Sequence, residues 1–179
     1  MFASFVQGPL VRVIPVGLVL LALQRTIFVD IQVAGVIVQI VMAMSAAAGV
    51  AGGSERGAIV GFTLGVMYDL AEGTPLGSTA TAMTIAGIVG GLLALVAADP
   101  HWWLEAIFTA LGTAAGVAMI PVLRAFIGES EPFQPELPLV VSVTAAAAAV
   151  MSPVLVPLAR WCLRMRRPEW KQPVRDAGP

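Results

Sequence analysis

Apolar runs of about twenty residues follow one another along nearly the whole chain, broken only by short polar pieces. In hydrocarbon such a run must satisfy its own backbone N–H and C=O groups, and a single crossing can do that only as an α-helix. Of the 179 residues, 58% are hydrophobic and 12% are charged. A soluble domain usually has roughly 25% charged residues, so this chain has too little polar surface to cover a water-facing fold. At about 20 residues per crossing, the length is used up by about six spans, with no room for a soluble domain. The sequence therefore predicts an all-α polytopic membrane protein, a compact bundle of about six transmembrane helices.

The polar breaks set the spans at about 10–28, 33–52, 57–70, 77–98, 104–127 and 139–163, within a bundle of residues 1–163. Gly52-Gly53-Ser54-Glu55-Arg56 and Glu72-Gly73-Thr74-Pro75 are turn compositions. Asp99-Pro100-His101-Trp102-Trp103 reads as an interfacial loop, because tryptophan prefers headgroup depth. Asp30 and Gln32 mark a short turn, and Glu129, Glu131, Pro132, Pro135, Glu136 and Pro138 form an acidic loop broken by proline. The first apolar run has neither a basic leader nor a small-residue cleavage site, so it reads as a retained span.

Residues 164–179 form a basic tail. Six spans put this tail on the same side as the N-terminus. Arg12, Arg56, Arg160, Arg164, Arg166, Arg167, Lys171 and Arg175 then share one side, against Arg25 and Arg124 on the other. The positive-inside rule predicts both termini in the cytoplasm and the acidic loop outside, for a multi-pass protein of the cell inner (plasma) membrane.

Asp69 stands inside an apolar run, four residues after Gly65. A carboxylate at hydrocarbon depth costs roughly 2.5–3.5 kcal/mol on insertion scales, so it demands a partner or a role. With the third span centred near Gly65, Asp69 lies about 6 Å from the midplane, taking 1.5 Å of rise per residue. Gly57, Gly61 and Gly65 recur every four residues ahead of it, a slanted small-residue stripe that lets another helix approach closely. Three roles are open to Asp69. It can be an exposed residue at a helix end. It can be a structural clamp that accepts hydrogen bonds from Thr79, Thr81 or backbone amides at the start of the fourth span. It can also bind a cation, a proton or a substrate.

Gly87 with Gly91, and Gly112 with Gly116, repeat the four-residue spacing in later spans and argue for close internal packing. Gln24, Gln39 and Ser45 are polar residues within apolar spans and read as interhelical hydrogen-bonding groups. The Ala-rich stretch Thr144–Ala149 offers a smooth helix face. The single cysteine, Cys162, excludes an intrachain disulfide and a multi-cysteine metal site. The single histidine, His101, has no acids at metal-ligand spacing. The chain has no phosphate-binding glycine loop, no HExxH and no nucleophile elbow. These absences predict no catalytic residues, no metal, no cofactor and no nucleic-acid partner, in a chain that is not an enzyme.

The run Gly61-Phe62-Thr63-Leu64-Gly65-Val66-Met67-Tyr68-Asp69-Leu70, followed by Pro75-Leu76-Gly77, resembles the MreD family of bacterial rod shape-determining membrane proteins. That family shows G-x-x-x-D followed by a Leu-Gly at the start of the next span. Leu23-Gln24 near the end of the first span, the chain length and the six spans are also similar. Gly65, Asp69 and Gly77 occupy the family-motif positions, and the likeness is readable over about 24–91. The resemblance implies a scaffold of the cell-elongation machinery that acts in peptidoglycan synthesis. Its implied partners are an MreC-like bitopic membrane protein, a penicillin-binding protein and other elongation proteins, including the actin-like MreB. A competing class is the substrate-binding membrane subunit of an energy-coupling-factor vitamin transporter, similar in size and span number.

Overall fold

The computed structural model describes residues 10–28, 32–33, 35–97, 100–128 and 135–163. Helix α1 (Leu10–Leu23) runs on into a π-helical turn, Gln24–Phe28. A two-rung antiparallel ladder follows, pairing β1 (Gln32–Val33) with β2 (Val36–Ile37). The remaining elements are α2 (Ile40–Gly52), α3 (Ser54–Glu72), α4 (Ser78–Gly91), α5 (Leu93–Val96), α6 (Trp102–Phe126) and α7 (Leu137–Leu163). The chain is an all-α membrane bundle. Leu10–Ile27, Ser78–Val96, Trp102–Phe126 and Leu137–Leu163 are each long and apolar enough to cross a membrane.

Contacts at the helix ends fix how the helices run. Arg12 of α1 lies 5.5 Å from the Trp161 ring centroid of α7 and donates to the Trp161 carbonyl. Arg160 pairs with Glu105 near the start of α6. The start of α1, the start of α6 and the end of α7 therefore share one end of the bundle. At the other end Arg25 donates to Glu72 Oε1 at 2.8 Å and to the Ala71 carbonyl at 2.9 Å, joining the ends of α1 and α3. The start of α2 and the start of α4 lie at this end too, through the caps described below.

Helix α2 is the axis of the bundle. Every residue from Ile40 to Val50 is buried, and α3, α4, α6 and α7 all pack on it. The sequence explains this place: α2 contains only apolar and small residues apart from Ser45, whose hydroxyl donates to the Val41 carbonyl at 3.1 Å. A helix apolar on all sides belongs inside a fold or a bilayer.

Four boundaries differ from the sequence reading. The span expected at 33–52 becomes helical only at Ile40, because Gln32–Val33 and Val36–Ile37 form the β ladder. The β-branched residues Val33, Val36, Ile37 and Val38, with Gly35 at φ +78°, favour an extended hairpin over a helix. The turn expected over Gly52–Arg56 shrinks to Gly53, whose φ of 84° and ψ of 169° are open to essentially glycine alone. The third span extends over Ser54–Glu72 rather than 57–70. The span expected at 77–98 breaks at Leu92 after the glycine pair Gly90-Gly91, giving α4 and the short α5. The basic tail 164–179, Asp30, Asp99, and the acidic loop through residue 134 lie outside the described residues.

Candidate functional site

The stripe Gly57, Gly61, Gly65 faces α4 of the same chain. A Cβ on Gly61 would run into the Met83 backbone, one on Gly65 into Ala80, and one on Gly57 into the Gly87 carbonyl. The contact is reciprocal, since a Cβ on Gly87 would strike the Gly57 carbonyl. Gly49 of α2 joins the same point, also against Gly87, and Gly91 meets Ser54. Three backbones thus touch where α2, α3 and α4 meet. Gly112 and Gly116 of α6 extend the pattern, against Ala86 and Met42. Close approach of this kind is what small residues provide when no hydrophobic force separates helix from lipid. The stripe is therefore consumed inside the bundle.

The stripe ends at Asp69, which is 1% exposed. Its carboxylate accepts from the Thr74 hydroxyl at 2.7 Å and from the backbone amides of Gly77 at 2.8 Å, Thr79 at 3.2 Å and Ala80 at 3.3 Å. The three amides are the orphan donors at the start of α4, which has no cap from its own first residues. Gly77, at φ +98°, takes a left-handed turn that aims them at the end of α3. A carboxylate at a helix N-terminus is also favoured by the helix dipole. Hydrogen bonds to a charged group contribute roughly 1.5–3 kcal/mol each, so two of the four offset the insertion cost of a buried acid. This is the arrangement of a clamp between α3 and α4. Thr81, also considered as a donor, instead bonds to the carbonyls of Gly77 and Ser78.

Gln24 does for α2 what Asp69 does for α4. Its side-chain oxygen accepts from the Val41 amide at 3.2 Å, and the residue is 6% exposed. The sequence marks Gln24 as a polar group in an apolar span but not as a cap, because its partner is 17 residues further on. Among the described residues no buried side-chain nitrogen or oxygen lacks a hydrogen bond, and no group of three His, Cys, Asp or Glu could hold a metal. His101 is exposed at the start of α6, and Cys162 is buried at the end of α7.

A cleft of about 430 Å³ opens beside the clamp. One wall is the end of α3 and the turn after it, with Tyr68, Glu72, Thr74 and Pro75. The end of α6 also lines it, with Ile120, Leu123, Arg124 and Ile127. So do Ser78 and Thr79 of α4, and Gln39 just before α2. Thr74 and Thr79 belong to both features, so Asp69 holds up one side of the cleft from beneath. Sequence reading missed this cleft. Its residues come from three separate stretches, and the only signal was the clustering of Tyr68, Asp69, Glu72 and Thr74 at one helix end.

No family model, no curated protein and no solved structure matches the chain.

Proposed function

We propose that the chain is a non-catalytic scaffold of the bacterial cell-elongation machinery, seated in the inner membrane with both termini cytoplasmic. In this reading it holds an MreC-like bitopic protein through transmembrane helix contacts and acts with a penicillin-binding protein and other elongation proteins. The observation that carries the reading is the use of the Gly65, Asp69, Gly77 motif: it locks α3 to α4 and makes a rigid platform. Apolar side chains on the outer faces of three helices, such as Leu18, Phe62 and Val150, are left open to lipid or to a partner helix. The positive-inside pattern puts the Asp69 end outside, where the soluble part of such a partner lies.

Affinity purification of the tagged chain from its native membrane, followed by mass spectrometry, tests the proposal. The expected co-eluting protein is bitopic with an extracytoplasmic domain, and photo-crosslinkers at positions 18, 62 and 150 should trap it from one helix face. Recovery of a pair of ATPases with a second membrane subunit overturns the scaffold.

The cleft favours a second reading, the solute-binding subunit of a vitamin transporter. It has the polar groups beside an apolar wall that a ligand site needs. A vitamin panel tests it, because a ligand that binds only the folded chain raises the unfolding temperature by mass action. A flat response across the panel removes this reading.

A further inference from the structure

We propose that the α1 side of the bundle presents a hydrophobic belt shorter than an ordinary bilayer and thins the lipid beside it. The proposal concerns how the chain sits in lipid, so it stands under either functional reading.

The belt of α1 is set by its two arginines. No charged residue lies between Arg12 and Arg25, and the helix between them rises about 20 Å. The hydrocarbon core of a typical bilayer is about 30 Å thick. Tilting α1 would only shorten its belt further. Long arginine side chains can make up such a shortfall by reaching to the headgroups. Here both guanidiniums are tied to neighbouring helices. Arg12 donates to the Trp161 carbonyl and lies over the Trp161 ring, and Arg25 is held by Glu72 and the Ala71 carbonyl.

The register of α1 on α3 makes the same point. Arg25 pairs with Glu72 and Gly17 packs on Leu64, both at an offset of 47 residues. The two helices run the same way, so this offset sets Arg12 level with Ile59. That is about 4–5 Å further into the span than Arg56. A charge so far inside the end of its neighbour keeps its hydration where the headgroups come down to meet it.

The α6–α7 side is longer. Helix α6 carries no charge between Glu105 and Arg124, about 28 Å of helix, and α7 carries none from Leu137 to Arg160, about 34 Å. At the usual tilt of about 20° these belts still measure about 27 Å and 32 Å, close to an ordinary bilayer. Helix α1 packs on α3, and α6 on α7, around the central α2, so the short and long belts meet different lipid. A short belt is accommodated by thinning the bilayer, at a modest cost per ångström.

The experiment places the full chain, with Cys162→Ala, in vesicles of eighteen-carbon phosphatidylglycerol. One nitroxide at a time replaces Val11, Leu18 or Thr26 of α1, or Trp103, Leu111 or Phe126 of α6, all of them exposed. Collision with oxygen against collision with a water-soluble nickel chelate reads the depth of each. The expected result puts Val11 and Thr26 as near the headgroups as Trp103 and Phe126, although they stand much closer together along their helix. Val11 and Thr26 reading as deep in hydrocarbon as Leu18 overturns the proposal. A second measurement follows Tm across lipids of fourteen to twenty-two carbons. The parent chain should peak in shorter lipid than the Arg12→Leu, Arg25→Leu double variant, whose belt is longer, by at least one two-carbon step. A merely structural role for the arginines would lower Tm in every lipid without moving the peak, and that result also overturns the proposal. If the double variant fails to fold, the depth profile decides alone.

Discussion

Helices α3 and α1 both lie against the core of the bundle, but they are held in opposite ways. Helix α3 meets α4 backbone to backbone along Gly57, Gly61 and Gly65 and ends on the Asp69 clamp. Helix α1 is held by side chains: Gly17 faces the flexible ends of Leu64 and Met67, and the polar ties sit near its two ends, at Arg12, Gln24 and Arg25. The difference shows what a small-residue stripe does. It fixes geometry only where the neighbour is backbone, which cannot move aside. Against a long side chain the same glycine is merely tolerated.

The largest effect should therefore come from one methyl group at the centre of the α2–α3–α4 contact. Gly87→Ala places a Cβ against the Gly57 carbonyl, which moves only if two helices separate. Overpacking of a well-packed core usually costs about 1–3 kcal/mol, and a backbone clash belongs at or above the top of that range. Gly17→Ala is the matched change in α1. Its Cβ meets Leu64 Cδ2 at 2.5 Å and Met67 Cε at 3.1 Å, both ends of flexible side chains. The gain in helix propensity, about 0.5–1 kcal/mol, should offset much of that contact. Thermal unfolding in mild detergent separates the two, and equal losses would break the comparison.

The clamp comes next. Asp69→Ala leaves the amides of Gly77, Thr79 and Ala80 without their acceptor at a half-buried helix start. One unsatisfied buried group costs about 1–3 kcal/mol, so a loss of about 3 kcal/mol is expected after partial relaxation. Asp69→Asn keeps one oxygen acceptor and the shape, and should lose about half as much. Hydrogen exchange should quicken at Thr79 and Ala80 in both variants. An unchanged rate at those amides would show that the clamp is not what orders α4.

Gln24→Ala should be milder, about 1 kcal/mol, because a single neutral hydrogen bond to the Val41 amide is lost. Its signature is local: faster exchange at Val41, with the α3–α4 contact unchanged. Coupling of this variant to Gly87→Ala beyond about 0.5 kcal/mol in a double-mutant cycle would show that α1 and the core are not independent.

The fold was legible because apolar runs and polar breaks say where helices can be, and the glycines at four-residue spacing say that helices pack closely, without naming the pairs that touch. The start of α2 was not legible. Val36, Ile37 and Val38 are as apolar as the helix that follows, and hydropathy does not distinguish a β-branched hairpin from a helix turn. The one-residue turn at Gly53 was hidden for a related reason. Ser54-Glu55-Arg56 reads as loop by polarity, yet Ser54 opens α3 and its hydroxyl donates to the Ile88 carbonyl at 3.0 Å. For the candidate site, Asp69 stood out because an acid in an apolar run is costly. The direction of its partners could be read from the Gly-Thr-rich turn just after it. Gln39 and Arg124 could not be joined to Tyr68 and Glu72, because only the packing of α2, α4 and α6 brings them to one cleft.

The smallest effect sharpens the comparison most, because it concerns the only charge pair between α1 and α3 among the described residues. Arg25 and Glu72 are joined at 2.8 Å, with 52% and 30% of their side chains exposed. Exposed pairs gain little, since water screens them and two long side chains must be ordered to form them. Arg25→Ala should therefore leave the unfolding temperature near that of the parent chain, and added salt should erase what difference there is. A large loss would mean that α1 depends on its charged tie as α3 depends on the Asp69 clamp. The two helices would then be held by the same device at the same end of the bundle, and the glycine contact would be the consequence of α3 being fixed rather than its cause.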